Sequence, residues 1–342
     1  MVTLLNCIER IPSLLLDIQE NRDVRFAKLQ ELNQEKAFKK IVFVASGSSY
    51  NAAFTAKFFL EEVCGLQVEL LYPNIFQKYY PFMDKDALHV FISQGGSTRL
   101  VYESCLKAKQ AGCTCLSITA ELDCPIAKVA HLSIEMGCRK EEYLYRTIGF
   151  STTVATCWML GTVLSDQKFD EDYQKMVAHL PILKEITLAW YQQHRFSLMK
   201  RNQAMFTGTH DLWPIAQEAD IKMMEMVPMM TKSYELEEFI HGPQNAFEDS
   251  TAFYILVKAD EDNEKAEAIA KFLKQEIGFC TLVGNVALDD NDLTFEAESR
   301  YFSALEYITI FQVLAYKLAD DHGRDLSRGV NAQIKNYITK TI

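Results

Sequence analysis

Two short stretches combine glycines with hydroxyl-bearing side chains, and each comes after an apolar run and before a helical pattern. They are ASGSSYNAA and SQGGSTR, and the residues of interest in them are Ser46, Gly47, Ser48, Ser49, Ser93, Gln94, Gly95, Gly96, Ser97 and Thr98. The N–H groups and the dipole of a helix N-terminus bind anions without a lysine or a metal. We therefore interpret both stretches as phosphate-binding loops, whose glycines let the backbone approach the ligand closely.

The alternative is that both stretches are ordinary strand-to-helix turns with N-cap serines. Neither is a Walker loop, since no Gly-Lys-Ser/Thr follows, and neither is the GxGxxG of dinucleotide sites. Two such turns in succession, both expected at the carboxyl edge of one sheet, favour phosphate binding. The pattern requires no cofactor and no metal.

A candidate base lies in the segment ADIKMMEMVPMM. Lys222 and Glu225 are three residues apart and share one face of a predicted helix. This spacing is most often a surface ion pair. Here Met223 and Met226 lie beside the pair, and an apolar setting can make a carboxylate a usable base near neutral pH. We therefore predict Glu225 as a catalytic base with Lys222 beside it.

A candidate acid follows in SYELEEFIHGPQNAF. His241 lies sixteen residues beyond Glu225 and is followed by Gly242 and Pro243, which favour a tight turn. A histidine in such a place is either a turn residue or an acid/base group. The other histidines have no comparable setting and are expected to be structural; they are His89, His131, His179, His194, His210 and His322.

A second charged region, CRKEEYLYRTIGFSTT, precedes a predicted helix. Glu141 and Glu142 are expected to form a solvated loop or a helix cap. Glu141, Arg146 and Thr147 are weaker candidates for contact with a ligand.

The elements that must position these residues alternate between strand and helix. The first 35 or so residues read as one helix, with Leu4, Ile8, Ile11, Leu15 and Ile18 on one face. Strand-like runs then alternate with helical patterns, which predicts an α/β fold with a mostly parallel sheet covered on both faces.

The second half of the chain repeats this order, so we predict two copies of one α/β unit. The predicted segments are an N-terminal helix at 1–34, a phosphate-binding domain at 35–165, a helical linker at 166–198, a second domain at 199–330 and a tail at 331–342. The corresponding turns of the second copy are TGTHDLW and VKADEDNE, and the acids of the later one would repel a phosphate.

Composition excludes several classes of protein. The 342 residues carry a net charge of −11 without a basic stripe, which argues against a nucleic-acid partner. Runs such as IVFVAS and AFYILV are too short to span a bilayer, and the N-terminus lacks the pattern of a signal peptide, so no membrane partner and a cytoplasmic location are expected. The nine cysteines show no CxxC and no zinc spacing, which predicts reduced core thiols.

Four motifs in order resemble the tandem sugar isomerase (SIS) domain family. SGSSYNAAF and SQGGST resemble the two phosphate loops of the family, FTGTHDLWPIAQEADIKMMEM is similar to the segment with its catalytic glutamate, and ELEEFIHGP resembles its G-E-x-x-H-G-P. The resemblance covers roughly residues 35 to 330. It implies two α-β-α sandwiches with parallel five-stranded, flavodoxin-like sheets, as in the isomerase half of glucosamine–fructose-6-phosphate aminotransferases and in fructosamine-6-phosphate deglycases.

The resemblance also implies roles. The residues matched to phosphate binding are Ser48, Ser49, Ser93, Gln94 and Thr98. Glu225 would move a proton between C1 and C2 of the sugar, Lys222 would lie near the sugar, and His241 would enter the site of the neighbouring subunit of a homodimer.

The chain departs from the family pattern at several positions. Gly95 and Ser97 replace the serine and the acid of the second loop, and Ile148 replaces a lysine. Lys335 lies one place away from the tail lysine that forms an imine in the aminotransferases. The chain shows no glutaminase segment, so we expect amine release rather than glutamine-dependent synthesis.

We therefore expect a deglycase acting on a phosphorylated sugar–amine conjugate. A glucosamine-6-phosphate deaminase and an aldose–ketose isomerase are the alternatives among enzymes. A sugar-phosphate sensor without catalysis is the alternative from another class.

Overall fold

The computed structural model describes residues 3–258 and 263–342. The chain divides into two compact units. The first-sheet unit comprises Ser13–Glu142, Arg146–Asp170 and Gly329–Ile342, and the second-sheet unit comprises the described residues of Met1–Pro12, Tyr143–Tyr145 and Glu171–Arg328. The division into five segments predicted from the sequence stays a prediction.

The N-terminal segment forms two helices, so the expectation of one helix over the first 35 residues is wrong. They are α1 (Leu4–Glu20) and α2 (Arg22–Lys36), separated at Asn21. The five apolar residues expected to share a face are buried on α1. Helix α2 is capped by Ala37, which adopts a left-handed conformation and whose N–H donates to the Asn33 carbonyl.

The first-sheet unit alternates strands with helices as the sequence predicts. Its elements after α2 are β1 (Lys40–Val44), α3 (Ser48–Phe58), β2 (Gln67–Leu71), α4 (Pro73–Tyr79), β3 (Leu88–Ile92), α5 (Arg99–Gln110), β4 (Thr114–Thr119), α6 (Pro125–Val129), β5 (Leu132–Glu135) and α7 (Ile148–Ser165). Strand β3 is buried along its whole length, as expected for a strand covered on both faces.

The second-sheet unit repeats the alternation. After α8 (Asp170–Leu198), its elements are β6 (Gln203–Gly208), α9 (Trp213–Met226), β7 (Met230–Glu235), β8 (Thr251–Val257), α10 (Asn263–Phe272), β9 (Cys280–Gly284), β10 (Leu293–Thr294) and α11 (Ala304–Asp321). Its core joins β8 and β9 to α10 through buried residues such as Phe253, Leu282 and Ile269.

Both sheets are parallel and have the same topology. The strand orders are β2-β1-β3-β4-β5 and β10-β9-β8-β6-β7. Read from its other edge, the second sheet has the order β7-β6-β8-β9-β10. With the strands of each sheet numbered along the chain, both orders are 2-1-3-4-5. The predicted α/β fold of two five-stranded, flavodoxin-like sheets is confirmed.

The most apolar helix of the described chain is α7. It is 18 residues long with a mean hydropathy of 1.3, so its length and composition match those of a membrane-spanning helix, which the short apolar runs of the sequence did not suggest. Its window is 89% buried inside the protein, which accounts for its apolar composition. The nine cysteines are all free and buried, which confirms the prediction of core thiols.

Candidate functional site

The two predicted phosphate loops lie at the same place in the first sheet. Strand β1 pairs with β2 on one side and with β3 on the other, so the chain order reverses between β1 and β3. The stretch 46–49 follows β1 and the stretch 93–98 follows β3, both at the carboxyl ends of these strands. Ligands of open α/β sheets bind in the crevice at such a reversal of strand order.

The first loop leaves the start of α3 open. Gly47 has a φ of 59° and precedes the helix, whose first turn carries Ser48 and Ser49. In the described structure no side chain caps α3, so the alternative of an ordinary turn with an N-cap serine is not what is observed. The first turn of α3 thus carries the hydroxyls of Ser48 and Ser49 and has no side-chain cap. The binding of an anion there stays a prediction.

The second loop is held by its own hydroxyls and by β4. The hydroxyls of Ser93 and Thr98 lie 2.8 Å apart, and Ser93 is buried. The Ser93 N–H donates to the Ile118 carbonyl at 3.1 Å, and the Ala120 N–H donates to the Gln94 carbonyl at 2.9 Å. These bonds fix the loop before any ligand arrives.

Gly96 has a packing role that the sequence does not suggest. Its φ is 61°, and a Cβ at this position would collide with the side chain of Cys124. The glycine is thus required by the turn and by packing on Cys124. Its part in phosphate binding stays a prediction. A Cβ at Gly95 would have only an ordinary contact, at 3.9 Å from the Ser97 hydroxyl.

The C-terminal residues of the chain pair with the second loop, which the sequence did not suggest. Thr341 forms an antiparallel bridge with Thr98. The Arg99 N–H donates to the Lys340 carbonyl at 2.9 Å, and the Ile342 N–H donates to the Ser97 carbonyl at 3.0 Å. An anion at this loop would therefore use donors that precede Arg99. Lys335 lies nearby in sequence, on an exposed 3₁₀ turn at Ala332–Asn336.

Glu141 is a buried helix cap rather than part of a solvated loop. Its carboxylate accepts hydrogen bonds from the N–H groups of Thr147, Ile148 and Gly149 at 2.6, 2.8 and 3.3 Å. It also accepts one from the Gln94 side chain at 3.0 Å. The side chain is fully buried. A carboxylate at the positive end of α7 is stabilised by the helix dipole, and here it also anchors a residue of the second loop.

Gly149 makes room for this arrangement. A Cβ at Gly149 would collide with the amide of Gln94. The Gln94 side chain is thus confined between Gly149 and Glu141, with the Cys138 sulfur 3.7 Å from its nitrogen. Arg146 lies at the edge of the cluster, with its guanidinium 3.9 Å from the Glu141 carboxylate.

The equivalent place in the second sheet is filled by an ion pair. Asp211 follows β6 and Lys258 follows β8, and the Lys258 ammonium lies 2.6 and 2.7 Å from the two carboxylate oxygens of Asp211. His210 lies 3.3 Å from the same carboxylate. An internal carboxylate thus occupies the crevice where the first sheet has its loops. The acids Asp260, Glu261 and Asp262, expected to repel a phosphate there, lie outside the described residues.

Replacing Asp211 with asparagine is expected to destabilise the protein by about 2 kcal/mol at pH 7, because it removes a charged, bidentate partner of Lys258. Burial raises the pKa of Asp211, but His210 and Lys258 outweigh it and lower the pKa below its ordinary value of 3.8. A carboxyl whose pKa is lowered by folding stabilises the protein above the ordinary value and loses this contribution as the pH falls below it.

The difference in the free energy of unfolding between wild type and Asp211→Asn should therefore decrease as the pH falls below about 4. Urea unfolding at pH 7, 5 and 3 measures this difference. Asp325→Asn is the matched control, because Asp325 also pairs with a cationic side chain, that of Arg328, but is largely exposed. Equal effects of the two substitutions at pH 7 would contradict the prediction.

The predicted base and its lysine lie on α9 as expected. The Lys222 ammonium is 2.9 Å from the Glu225 carboxylate and 3.7 Å from that of Glu218. Lys222 and Glu218 are buried, whereas the Glu225 side chain is 40% exposed. Glu225 thus lies at the rim of a buried lysine–glutamate pair and not in the apolar cleft that its methionine neighbours suggested.

His241 has a carboxylate partner, Glu237, for which the sequence predicts no role. Its Nε2 lies 2.9 Å from one carboxylate oxygen of Glu237, and the Lys265 ammonium lies 2.6 Å from the other. The bonds from Lys265 and His241 lower the pKa of Glu237. The imidazole is 61% exposed, and Gly242, with a φ of 124°, turns the chain directly after it. The spacing of four residues between Glu237 and His241 is the signal that would have revealed this contact.

Comparison with known proteins agrees with this geometry. Residues 36–163 match the SIS domain family model. A glutamine–fructose-6-phosphate aminotransferase [isomerizing] of Tropheryma whipplei (strain TW08/27) is 26% identical over 314 residues, which cover 86% of this chain and 51% of the relative. The chain thus spans about half the length of the curated relatives it matches. The expected resemblance to the SIS family is confirmed.

Solved structures are similar over nearly the whole chain. A candidate phosphosugar isomerase of Clostridium difficile 630 superposes with a TM-score of 0.91 at 20% identity, covering 100% of this chain and 99% of the other. A glucosamine-6-phosphate deaminase of Thermotoga maritima gives a TM-score of 0.76 at 22% identity, covering 97% and 99%. At these identities the likeness shows the fold alone.

Proposed function

From a chain whose residues 36–163 match the SIS domain family model, we propose a phosphosugar enzyme that releases an amine from a phosphorylated sugar–amine conjugate. The observation that carries the proposal is the pair of hydroxyl- and glycine-containing loops at the reversal of strand order in the first sheet. The enzyme is proposed to be a cytoplasmic homodimer whose active site is shared between subunits.

The proposed reaction begins with proton transfer. With a ketosamine phosphate as substrate, Glu225 removes a proton from C1, next to the C2 carbonyl, and an enolamine forms. Protonation at C2 leaves an imine at C1. Water then hydrolyses the imine, so that the amine departs and an aldose phosphate remains. General acid–base catalysis of this kind needs a carboxylate and a proton donor, which are the roles assigned to Glu225 and His241.

The other residues of the site would position Glu225 and His241 or contact the substrate. Lys222, buried between two carboxylates, would hold Glu225 in place and lie near the sugar. Glu237 would orient His241, which would protonate the ring oxygen or the departing nitrogen. Lys335 could form an imine with a ketose only if the tail brings it to the sugar.

Three alternatives share the phosphate site. A glucosamine-6-phosphate deaminase and an aldose–ketose isomerase use the same proton transfer, and the names of structural neighbours include both activities. A sensor of sugar phosphates needs the loops but not an acid/base pair. The Lys222–Glu225 and Glu237–His241 contacts favour an enzyme over the sensor.

A panel of phosphorylated sugar amines tests the proposal. The panel contains glucosamine 6-phosphate, ketosamine 6-phosphates of several amines and fructose 6-phosphate, with release of ammonia or amine and isomerisation as readouts. Amine release from ketosamine phosphates is the expected result. Binding of the panel in a thermal-shift assay without any turnover would favour the sensor, and the absence of binding would contradict a phosphate site.

A further inference from the structure

Beside the second loop, an open cavity of about 370 Å³ shares Gln94 and Gly95 with the loop. Its wall carries the cationic side chains of Arg139, Lys140 and Arg146. The ten residues proposed to hold the phosphate leave these three cations without a role. The cavity is therefore placed to receive a second group of the molecule whose phosphate the loops bind.

The carboxylates around the cavity are Glu121, Asp123 and Glu141. Glu141 is satisfied by the start of α7 and by Gln94 at 2.6 to 3.3 Å, all closer than Arg146 at 3.9 Å. Asp123 is paired with Lys128 at 2.6 Å. Glu121 is exposed. The shortest contacts of Glu141 and Asp123 are thus made with groups other than Arg139 and Arg146.

The guanidinium groups of Arg139 and Arg146 are available to bind a ligand. The Arg146 guanidinium is 45% exposed, with Glu141 3.9 Å away. Arg139 is 69% exposed, with Asp17 3.9 Å away, while Arg25 holds Asp17 at 2.6 Å. Arg139 also adopts a φ of 49°, a conformation that residues other than glycine rarely occupy. A guanidinium whose nearest carboxylate lies beyond hydrogen-bond distance can bind another oxyanion in a bidentate manner.

We propose that this cavity is a second anion subsite, in which Arg139 and Arg146 bind a carboxylate or similar oxyanion next to the phosphate loop. The proposal rests on the proposed function in one respect: the oxyanion is taken to be a carboxylate of the amine part of the conjugate. The other source of the same chemistry is a free oxyanion that binds by itself. In either case the arginines determine which ligands bind and take no part in proton transfer.

Two ketosamine 6-phosphates that differ only in a carboxylate separate these sources. One is formed from glycine and the other from methylamine. In the double variant Arg139→Gln/Arg146→Gln, the affinity for the glycine conjugate is expected to fall by about 10- to 100-fold, as for loss of charge-assisted hydrogen bonds. The affinity for the methylamine conjugate and for fructose 6-phosphate is expected to change by less than about twofold, because neither ligand carries that carboxylate. Arg328→Gln, at an exposed arginine of the second-sheet unit, is the control.

Calorimetric titration with malonate tests the free oxyanion. Binding of malonate to the wild type that is lost in the double variant would support the subsite with a free anion as its source, even if no sugar phosphate binds. A differential loss for the glycine conjugate would support the carboxylate of the substrate. Equal losses for all three sugar phosphates, or retention of every affinity together with unchanged malonate titration, would overturn the subsite. Failure of fructose 6-phosphate to bind the wild type would contradict the proposed function alone.

Discussion

Replacing Glu225 with glutamine is expected to lower kcat by about 10²- to 10⁴-fold, the usual contribution of a general base. Glutamine keeps the size of the side chain and an oxygen that can accept from Lys222, so the local structure should persist. It cannot accept a proton from C1. The Kd for fructose 6-phosphate should change by less than about twofold, since the phosphate loops belong to other elements.

Exchange of the substrate proton with solvent gives a direct readout of the base. In D₂O the wild type should incorporate deuterium into the sugar phosphate, and Glu225→Gln should lose this exchange together with turnover. Glu267→Gln is the matched control, because Glu267 and Lys271 also form a glutamate–lysine pair on a helix. Undiminished turnover of Glu225→Gln would exclude Glu225 as the base.

The central strands were predictable because they are continuous apolar runs. KIVFV, LHVFI and TAFYILV each become a strand buried over all or nearly all of its length, which leaves little choice of face or register. Strand β7, MTKSYE, was not recognised as a strand. It is an edge strand of its sheet and alternates between exposed and buried residues at its start. A short polar strand of this kind is fixed by its pairing with β6, which a single sequence does not display.

The candidate site was predictable where motif and fold coincide. The loops after β1 and β3 follow from strand–turn–helix patterns, and the reversal of strand order brings them together. The capping role of Glu141 was not predictable, because its partners Thr147 and Ile148 lie six and seven residues away, beyond the spacing of a capping box. The fit of Gln94 against Gly149 joins residues 55 positions apart and depends wholly on tertiary packing.

The reversals of strand order in the two sheets offer different groups to a ligand. In the first sheet, polar loops with open helix starts leave donors for a ligand. In the second sheet, Asp211 and Lys258 satisfy each other within the protein. A crevice whose charges are already paired has little to offer a phosphate, and we propose that the second-sheet unit supplies acid and base residues instead. This difference is the reason for assigning phosphate binding to the first-sheet unit and the acid and base residues to the second-sheet unit.

Replacing His241 with glutamine is expected to lower kcat for amine release by about 10²- to 10⁴-fold, because the site loses its proton donor. Glu237→Gln should have a smaller effect, since it retains an oxygen for the imidazole and removes only the charge that orients it. His322→Gln is the control, as His322 is also exposed and belongs to the same unit. If His241→Gln and His322→Gln had the same kcat, the assignment of the acid would be wrong.

The exposed position of His241 makes the shared active site testable with two inactive variants. If His241 serves the partner subunit, a mixed dimer of Glu225→Gln and His241→Gln has one site with both substitutions and one intact site. Unfolding and refolding an equimolar mixture should then restore about a quarter of the wild-type activity, since half of the dimers are mixed and each has one intact site. If His241 served its own subunit, both sites of the mixed dimer would carry one defect and no activity would return. The mixture thus separates a catalytic histidine given to the partner from one kept within the chain.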